Sequence, residues 1–434
     1  MKQLALKLLA LFTIALSAAT HLHAQSPVGS WQATLPADSH KLRIILKIDK
    51  SETNGTSDTW KGTLYSIDQS HKGYPATSLN ITGALIKFTI DDFHASYEGT
   101  ISPDGNSITG TFTQGKSVPL TFDRATEATA WPTDSTPHKV QFVPVQENVK
   151  LEVLDWGGTG RPLVLLSGLG NDAHVYDNFA LKLTPNYHVY GITRRGFGAS
   201  SAPSPTVANY NADRLGDDVL AVISALNLNH PVVAGHSIAG EELSSIGSRH
   251  PEKVAGLIYL DAAFPYAFYN HAITDWILDM VDVRNQINAM EAGAVLEPKV
   301  VDNMLISLAQ LEKDMQDTKK ELAMMKPPYP PPPPPIGLAI MFGQQKYTQI
   351  HAPILSIVAC PHDFGDDVHA TPEGKAAIVK EDEARCTAQA DAFQSGIPSA
   401  HVVRLRNADH YVFRSNEADT LREMNAFIAT LPKD

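Results

Sequence analysis

Cysteine is nearly absent from this chain. Its 434 residues contain two, Cys360 and Cys386, too few to build a fold from disulfides or to form a thiolate-rich zinc site. Cations are in the minority, with 35 Lys and Arg against 47 Asp and Glu for a formal net charge of −12. No compact basic stripe offsets that balance, and binding to a phosphate backbone needs the opposite sign, so nucleic acid is not expected as a partner. Past the first two dozen residues no apolar run approaches the ~20 residues that cross a bilayer. What remains is 43% apolar and 19% charged, the composition of a packed globular protein rather than a disordered or fibrous one. The length suits two domains.

The first two dozen residues have the character of a targeting segment. Lys2 and Lys7 begin or interrupt an apolar run from Leu4 to Ala19, and Leu22-His23-Ala24 offers a small-residue cleavage site before Gln25. A basic start, a short apolar centre and such an end predict a secretory signal peptide over residues 1–24. The expected result is an exported protein, periplasmic or secreted, with no stable membrane insertion after cleavage. Export would permit a disulfide between Cys360 and Cys386. The alternative, two unrelated buried thiols, stays open because sequence does not give their separation.

Residues 25–125 alternate with a period of two, and turns break the pattern. Trp60 to Ile67, Ser78 to Thr82, Leu85 to Ile90, Ser96 to Ile101 and Ser107 to Thr113 read as strands, with Pro103-Asp104-Gly105 as a hairpin signal. About eight strands in this span predict a small antiparallel sandwich or barrel. It shows no chemistry, so an accessory or binding module and a structural cap are both consistent with it. Residues 126–138, rich in Thr, Pro and Ala, read as a linker.

From residue 139 onward the pattern becomes strand, helix, strand, helix. Leu163 to Leu166, Tyr187 to Ile192, Pro231 to Ala234, Val254 to Leu260, Ile354 to Ala359 and His401 to Leu405 are short apolar runs. Helical stretches such as Ala212 to Leu226 lie between them, which predicts a mostly parallel sheet covered on both faces. Residues of about 264–350 interrupt the alternation with helix-like sequence, including a long stretch from Val300 to Lys326. A proline-rich run, 327–335, follows, and would form a polyproline II rod of roughly 28 Å. A stiff spacer explains that run without a receptor; a partner-docking ligand is the other reading.

Gly235-His236-Ser237-Ile238-Ala239-Gly240 follows the strand at Pro231 and opens a helix reaching about Arg249. A serine there sits on a tight strand-to-helix turn, its hydroxyl lifted above the sheet edge. The helix N-terminus behind it points N–H groups at a developing oxyanion. Gly198-Ala199-Ser200-Ser201-Ala202 fits a similar loose pattern, but it leads into Pro203 and a polar loop instead of a helix. Context therefore selects Ser237 over a decoy, and over a plain helix N-cap. Its base is expected at His410, between the last strand and the last helix, where open α/β sheets place working residues. His174 and His351 read as structural or surface residues. Asp363, in the loop after Ile354 to Ala359, is the expected orienting acid; Asp366 and Asp367 are alternatives and Asp261 is the second choice. His362, Asp363, Asp366 and His369 could also be read as metal ligands, but no second ligand cluster supports a metal, and no cofactor is expected.

These residues bring the segment from about 140 to the end close to the α/β-hydrolase fold superfamily, which it resembles in that superfamily's cap-bearing serine hydrolase branch. The resemblance rests on the Gly235–Ala239 elbow, on the order Ser237, Asp363, His410, and on two further loops. One is Ser167-Gly168-Leu169-Gly170 after an early strand; the other is Thr193-Arg194-Arg195-Gly196, like the family's arginine-glycine turn. It implies an α/β fold: a doubly wound, mostly parallel sheet with a helical cap, preceded here by the small antiparallel all-β domain. It also implies an oxyanion hole made by the backbone N–H groups of Leu169 and Ile238. Ala239 departs from the Gly of the G-x-S-x-G pattern by one methyl, and Ser167 stands where the family carries His.

The expected activity is hydrolysis of a small-molecule substrate through an acyl-enzyme, most simply a carboxylic ester with a small or apolar acyl group. A serine at the elbow argues against the superfamily's dehalogenases and epoxide hydrolases, which use aspartate there. Peptidase, lactonase and carbon–carbon hydrolase activities stay open, as does a non-catalytic ligand-binding protein on the same fold. Met304, Leu305, Leu308, Leu311 and Met315 suggest an apolar acyl pocket, or ordinary helix packing. Glu241 and Glu242 read either as substrate contacts or as acids suited to a helix N-terminus. Oligomeric state is not legible.

Overall fold

The computed structural model describes residues 26–37, 40–51, 59–69, 73–132, 136–262, 276–293, 295–324, 334–365 and 372–432. The expected signal peptide, residues 327–333 of the proline-rich run, and Asp366, Asp367 and His369 lie outside the described residues. No described helix is long and apolar enough to cross a membrane. The chain divides into two compact units, one built on the N-terminal strands and one that contains the chain from Pro132 onward.

Among the described residues, nine N-terminal strands form one sheet: β1 (Gly29–Ala37), β2 (His40–Ser51), β3 (Thr59–Ser66), β4 (Tyr74–Pro75), β5 (Ser78–Thr82), β6 (Leu85–Ile90), β7 (Ala95–Ile101), β8 (Ser107–Gln114) and β9 (Lys116–Arg124). Their order is β4-β3-β2-β1-β9-β8-β7-β6-β5. From β5 to β9 each strand pairs antiparallel with the next, as hairpin turns dictate. Ile86, Phe88 and Ile90 alternate with more exposed neighbours and face the interior. The Tyr97 ring stacks on Phe88 and meets Phe122 edge-on. Its hydroxyl lies 3.0 Å from the carbonyls of Ile108 and Leu120, which share its one proton, so the buried donor is satisfied.

The second sheet has eight strands: β10 (Lys139–Gln146), β11 (Val149–Gly157), β12 (Pro162–Leu166), β13 (His188–Ile192), β14 (Val232–His236), β15 (Gly256–Leu260), β16 (Ile354–Ala359) and β17 (Ala400–Leu405), ordered β10-β11-β13-β12-β14-β15-β16-β17. All pairs from β13 onward are parallel, while β10 and β11 add an antiparallel edge. This unit's described helices of seven residues or more are α1 (Asp177–Leu183), α2 (Ala212–Ala225), α3 (Gly240–Arg249), α4 (Trp276–Glu291), α5 (Pro298–Met324), α6 (Pro335–Met341), α7 (Pro372–Gly396) and α8 (Glu417–Thr430).

The period-two geometry of a strand splits the core into two layers. Val164, Leu166, Leu257 and Tyr259 face one way and pack with Val219 and Val222 of α2, Leu243 of α3 and Phe393 of α7. Their neighbours Leu163, Leu165, Ile258 and Leu260 face the other way, onto Phe179 of α1 and Met424 and Ile428 of α8. Burial on both faces explains why these strands read as unbroken apolar runs. The expected helical interruption is present as α4, α5 and α6, between β15 and β16. Cys360, just past β16, and Cys386 of α7 form a disulfide with Cα atoms 5.6 Å apart, so the open question of their pairing resolves in its favour.

Candidate active site

Ser237 follows β14 directly, with φ at +55°. A non-glycine residue is rarely held in that left-handed region, and it persists where packing enforces it, often at a working site. Two glycines make room for the turn. A Cβ on Gly235 would lie 2.9 Å from Ala239 Cβ and 3.2 Å from Leu243, and one on Gly168 would lie 2.8 Å from His236 Nδ1. Both positions favour glycine because these packed side chains leave no room for a methyl group.

His410 lies beyond β17. Its Nε2 is 2.9 Å from Ser237 Oγ, placed to accept the hydroxyl proton. His410 Nδ1 is 2.6 Å from Asp261 Oδ2, a charge-assisted bond that fixes the ring tautomer. Behind the histidine, His236 donates from Nε2 to the His410 carbonyl at 2.8 Å. Burial pushes His236 well below the ordinary histidine range, and the His410 charge pushes it the same way. His236 is therefore a neutral support for the loop.

The orienting acid is a correction to the sequence reading. Asp363 is exposed, and its Oδ1 accepts from the Gly365 N–H at 2.9 Å within its own loop. The carboxylate on His410 belongs to Asp261, the first residue after β15. Its Oδ1 accepts from the Ala359 N–H at 3.0 Å, and its Oδ2 takes a second imidazole, His362 Nε2, at 2.9 Å. Burial would raise this carboxyl, but the hydrogen bonds and charges of His362 and His410 outweigh it and hold Asp261 well below the usual carboxylate range. His362 in turn places Nδ1 3.0 Å from Asp382 Oδ2 on α7, while Arg385 donates to Asp382 Oδ1 at 2.8 Å.

Ser167-Gly168-Leu169-Gly170 follows β12, the strand beside β14. Ser167 Oγ donates to the Asn171 carbonyl at 3.1 Å, and Arg194 donates to the Ser167 carbonyl at 2.9 Å. Arg194 is buried and paired with Glu242 on the helix behind Ser237. This ion pair ties the loop of Leu169 to the nucleophile's helix. Glu242 thus serves as the partner of an arginine, and Glu241 accepts from the Gln345 N–H at 3.1 Å. The second arginine of that turn, Arg195, is fully buried in a two-pronged pair with Asp218, at 2.6 Å for each bond.

Among the described residues, two groups of side chains have the residue types of a metal site. Asp261, His362 and His410 bring their ligand atoms within 4.8 Å of one another. Both imidazoles, however, stand at hydrogen-bond distance from the same oxygen, and the far nitrogen of His410 is on Ser237, which is the geometry of a relay. His138, His174 and Asp177 form the other group. There Asp177 already accepts from Trp156 Nε1 at 3.0 Å and bonds His174 Nδ1 at 3.1 Å, a buried polar knot consistent with a structural His174.

Comparison with known proteins gives the family. The profile described as "Alpha/beta hydrolase family" matches residues 163–423, more than half of the chain. The chain belongs to the alpha/beta hydrolase family. One similar protein is a "Putative non-heme haloperoxidase" of Mycobacterium phage D29, 32% identical over 107 residues, which are 24% of this chain and 37% of that protein. Another is "AB hydrolase superfamily protein YisY" of Bacillus subtilis (strain 168), 27% identical over 212 residues, 43% of this chain and 78% of that one. The chain spans less than two fifths of the length of several curated relatives it matches. Among solved structures, an esterase (EaEST) from Exiguobacterium antarcticum is similar over 67% of this chain and 100% of its own, at 16% identity and a TM-score of 0.44.

Proposed function

We propose that this member of the family is a serine hydrolase that works through an acyl-enzyme on carboxylic esters of small or apolar acyl groups. One observation carries the reading: Ser237 Oγ, His410 and the Asp261 carboxylate form a continuous chain of bonds at 2.9 and 2.6 Å, on a serine held at positive φ. Ser237 Oγ attacks the ester carbonyl carbon while its proton passes to His410 Nε2. The oxygen that becomes negative faces the backbone N–H groups of Leu169 and Ile238. His410 then returns the proton to the leaving alkoxide, and water, deprotonated by the same nitrogen, releases the acid. Asp261 holds the ring and offsets the charge that His410 gains.

Export is part of this proposal. The signal-like residues 1–24 suggest it, and the Cys360–Cys386 disulfide supports it, since such bonds persist in oxidising compartments. The test is labelling of the protein by a fluorophosphonate, compared with Ser237→Ala and His410→Ala. Labelling of the wild type alone, followed by turnover of short-chain esters, is expected. A folded wild type that never labels would remove the acyl-enzyme mechanism.

A further inference from the structure

His362 occupies the loop after β16, two residues past Cys360, and both of its ring nitrogens face carboxylate oxygens. Nε2 is 2.9 Å from Asp261 Oδ2 and Nδ1 is 3.0 Å from Asp382 Oδ2. An ionised carboxylate only accepts, so both nitrogens must donate, and an imidazole with two N–H groups is a cation. We propose that His362 is a positioning residue of the serine site: a standing imidazolium, clamped between Asp261 and Asp382, that fixes the orienting carboxylate and sets the pH range in which His410 can take the serine proton. The role rests on the serine hydrolase reading above.

Three features support the clamp. First, the His362 backbone N–H also donates to Asp382 Oδ2, at 2.7 Å, so Asp382 grips the residue twice. Second, Asp382 and Cys386 are four residues apart on α7 and share a helix face; the disulfide from Cys386 to Cys360 therefore ties the same face covalently to the same loop. Third, burial would push His362 down, yet the bonds and charges of Asp261 and Asp382 outweigh burial and hold it up at about 9.

The surrounding charges decide what the clamp does. Facing His362 are Asp261 from the end of β15, Asp382 and behind it Arg385 from α7, the Phe364 ring at 5.9 Å, and His410 at 6.4 Å between ring centroids. Facing His410 are Ser237, Asp261, the neutral His236 at 4.5 Å and Tyr411 at 5.9 Å. Asp261 by itself attracts positive charge to the ring bonded to it. A cation already seated on the same carboxylate oxygen opposes that second positive charge. The site thereby stays open to lower pH, at some cost in the attraction Asp261 gives His410 during the reaction.

The experiment is the rate of fluorophosphonate labelling of the whole chain across about pH 4.5 to 8, for wild type, His362→Gln and Asp382→Asn. Glutamine keeps a neutral donor towards Asp261 and removes the charge. Its acid limb is expected to move up by about one pH unit, whereas Asp382→Asn, which removes an anion and leaves the Asp261-paired cation in place in acid, is expected to leave the limb unmoved or move it slightly down. A uniform slowing of His362→Gln at every pH, with the limb unmoved, would overturn the proposal and leave His362 a structural residue. Nitrogen NMR of the His362 ring reads its charge without reference to activity: two protonated nitrogens at about pH 7.5 are expected, and a neutral ring there overturns the proposal whatever Ser237 does. A wild type with a charged His362 and no labelling would instead overturn the serine hydrolase reading, and the positioning role with it.

Discussion

His410 and His362 meet at one atom, Oδ2 of Asp261, at 2.6 and 2.9 Å. They arrive from loops that are themselves joined, because the Asp363 N–H donates to the Ala408 carbonyl at 2.8 Å. Asp261 is therefore one point at which the ends of β15, β16 and β17 meet. Whatever alters that carboxylate alters both imidazoles at once.

Replacement of Asp261 separates this arrangement from the one expected after β16. Asp261→Asn keeps the shape but no longer fixes the His410 tautomer, and ester turnover is expected to fall by about 10³–10⁴-fold. Asp363→Asn changes an exposed residue whose carbonyl oxygen can still accept from Gly365, so its turnover should stay within about twofold of wild type and its stability within ~0.5 kcal/mol. Initial rates on a short-chain ester decide between them. A large loss in Asp363→Asn with little loss in Asp261→Asn would reverse the assignment.

Stability should carry the mark of His362 on its pH dependence. The group is raised from an unfolded value near 6.5 to about 9 in the folded chain. A raised histidine contributes fully below about pH 6.5, less through the interval, and nothing above about 9, with a total of about 3 kcal/mol. Urea unfolding of wild type and His362→Gln should show a gap that is widest near pH 6 and closes as pH rises towards about 9.5. A gap of constant size across that range would mean that His362 is not charged by its neighbours.

Much of this arrangement was legible in the residues, and the part that was not has a physical reason. Strands buried on both faces leave runs such as Leu163 to Leu166 and Ile354 to Ala359, so the parallel core could be read almost to the residue. Ser237 declared itself through the glycines its turn requires, and His410 through its place after the last strand. The antiparallel edge of β10 and β11 is hard to read because Gln141, Pro144 and Gln146 break the apolar pattern of β10 and Lys150, Glu152 and Asp155 break that of β11. The N-terminal strands were undercounted for a similar reason: Lys and Arg punctuate β2. Asp261 ranked second because sequence shows which strand ends carry acids but not which of them reaches the histidine. Its φ of +48° was equally hidden. His362 had no local signal as a partner of the acid, since the pairing joins residues 101 positions apart.

The disulfide gives a third test. Cys360 and Cys386 are 26 positions apart, and closing a loop of that size restricts the unfolded chain by about 3–4 kcal/mol. Replacing both by serine should lower the urea midpoint accordingly. Because Asp382 lies one turn before Cys386, the labelling profile should also drift towards that of His362→Gln. An unchanged midpoint and profile would show that α7 holds its place by packing alone.

A fourth prediction concerns the elbow, where the chain departs from the commoner glycine at Ala239. Gly235→Ala would place a methyl 2.9 Å from Ala239 Cβ and 3.2 Å from Leu243 in a layer that is fully buried. Overpacking of this kind costs about 1–3 kcal/mol, and relief by backbone movement would shift Ser237 away from His410. Gly235→Ala should therefore lose both stability and labelling. Adding Ala239→Gly removes the closer of the two contacts and should return a measurable part of each, although Leu243 still crowds the site. Thermal melts and labelling rates of the single and double variants provide the comparison. If the double variant is worse than Gly235→Ala alone, the contact with Ala239 is not what makes glycine necessary at 235, and the turn must owe its tightness to Leu243.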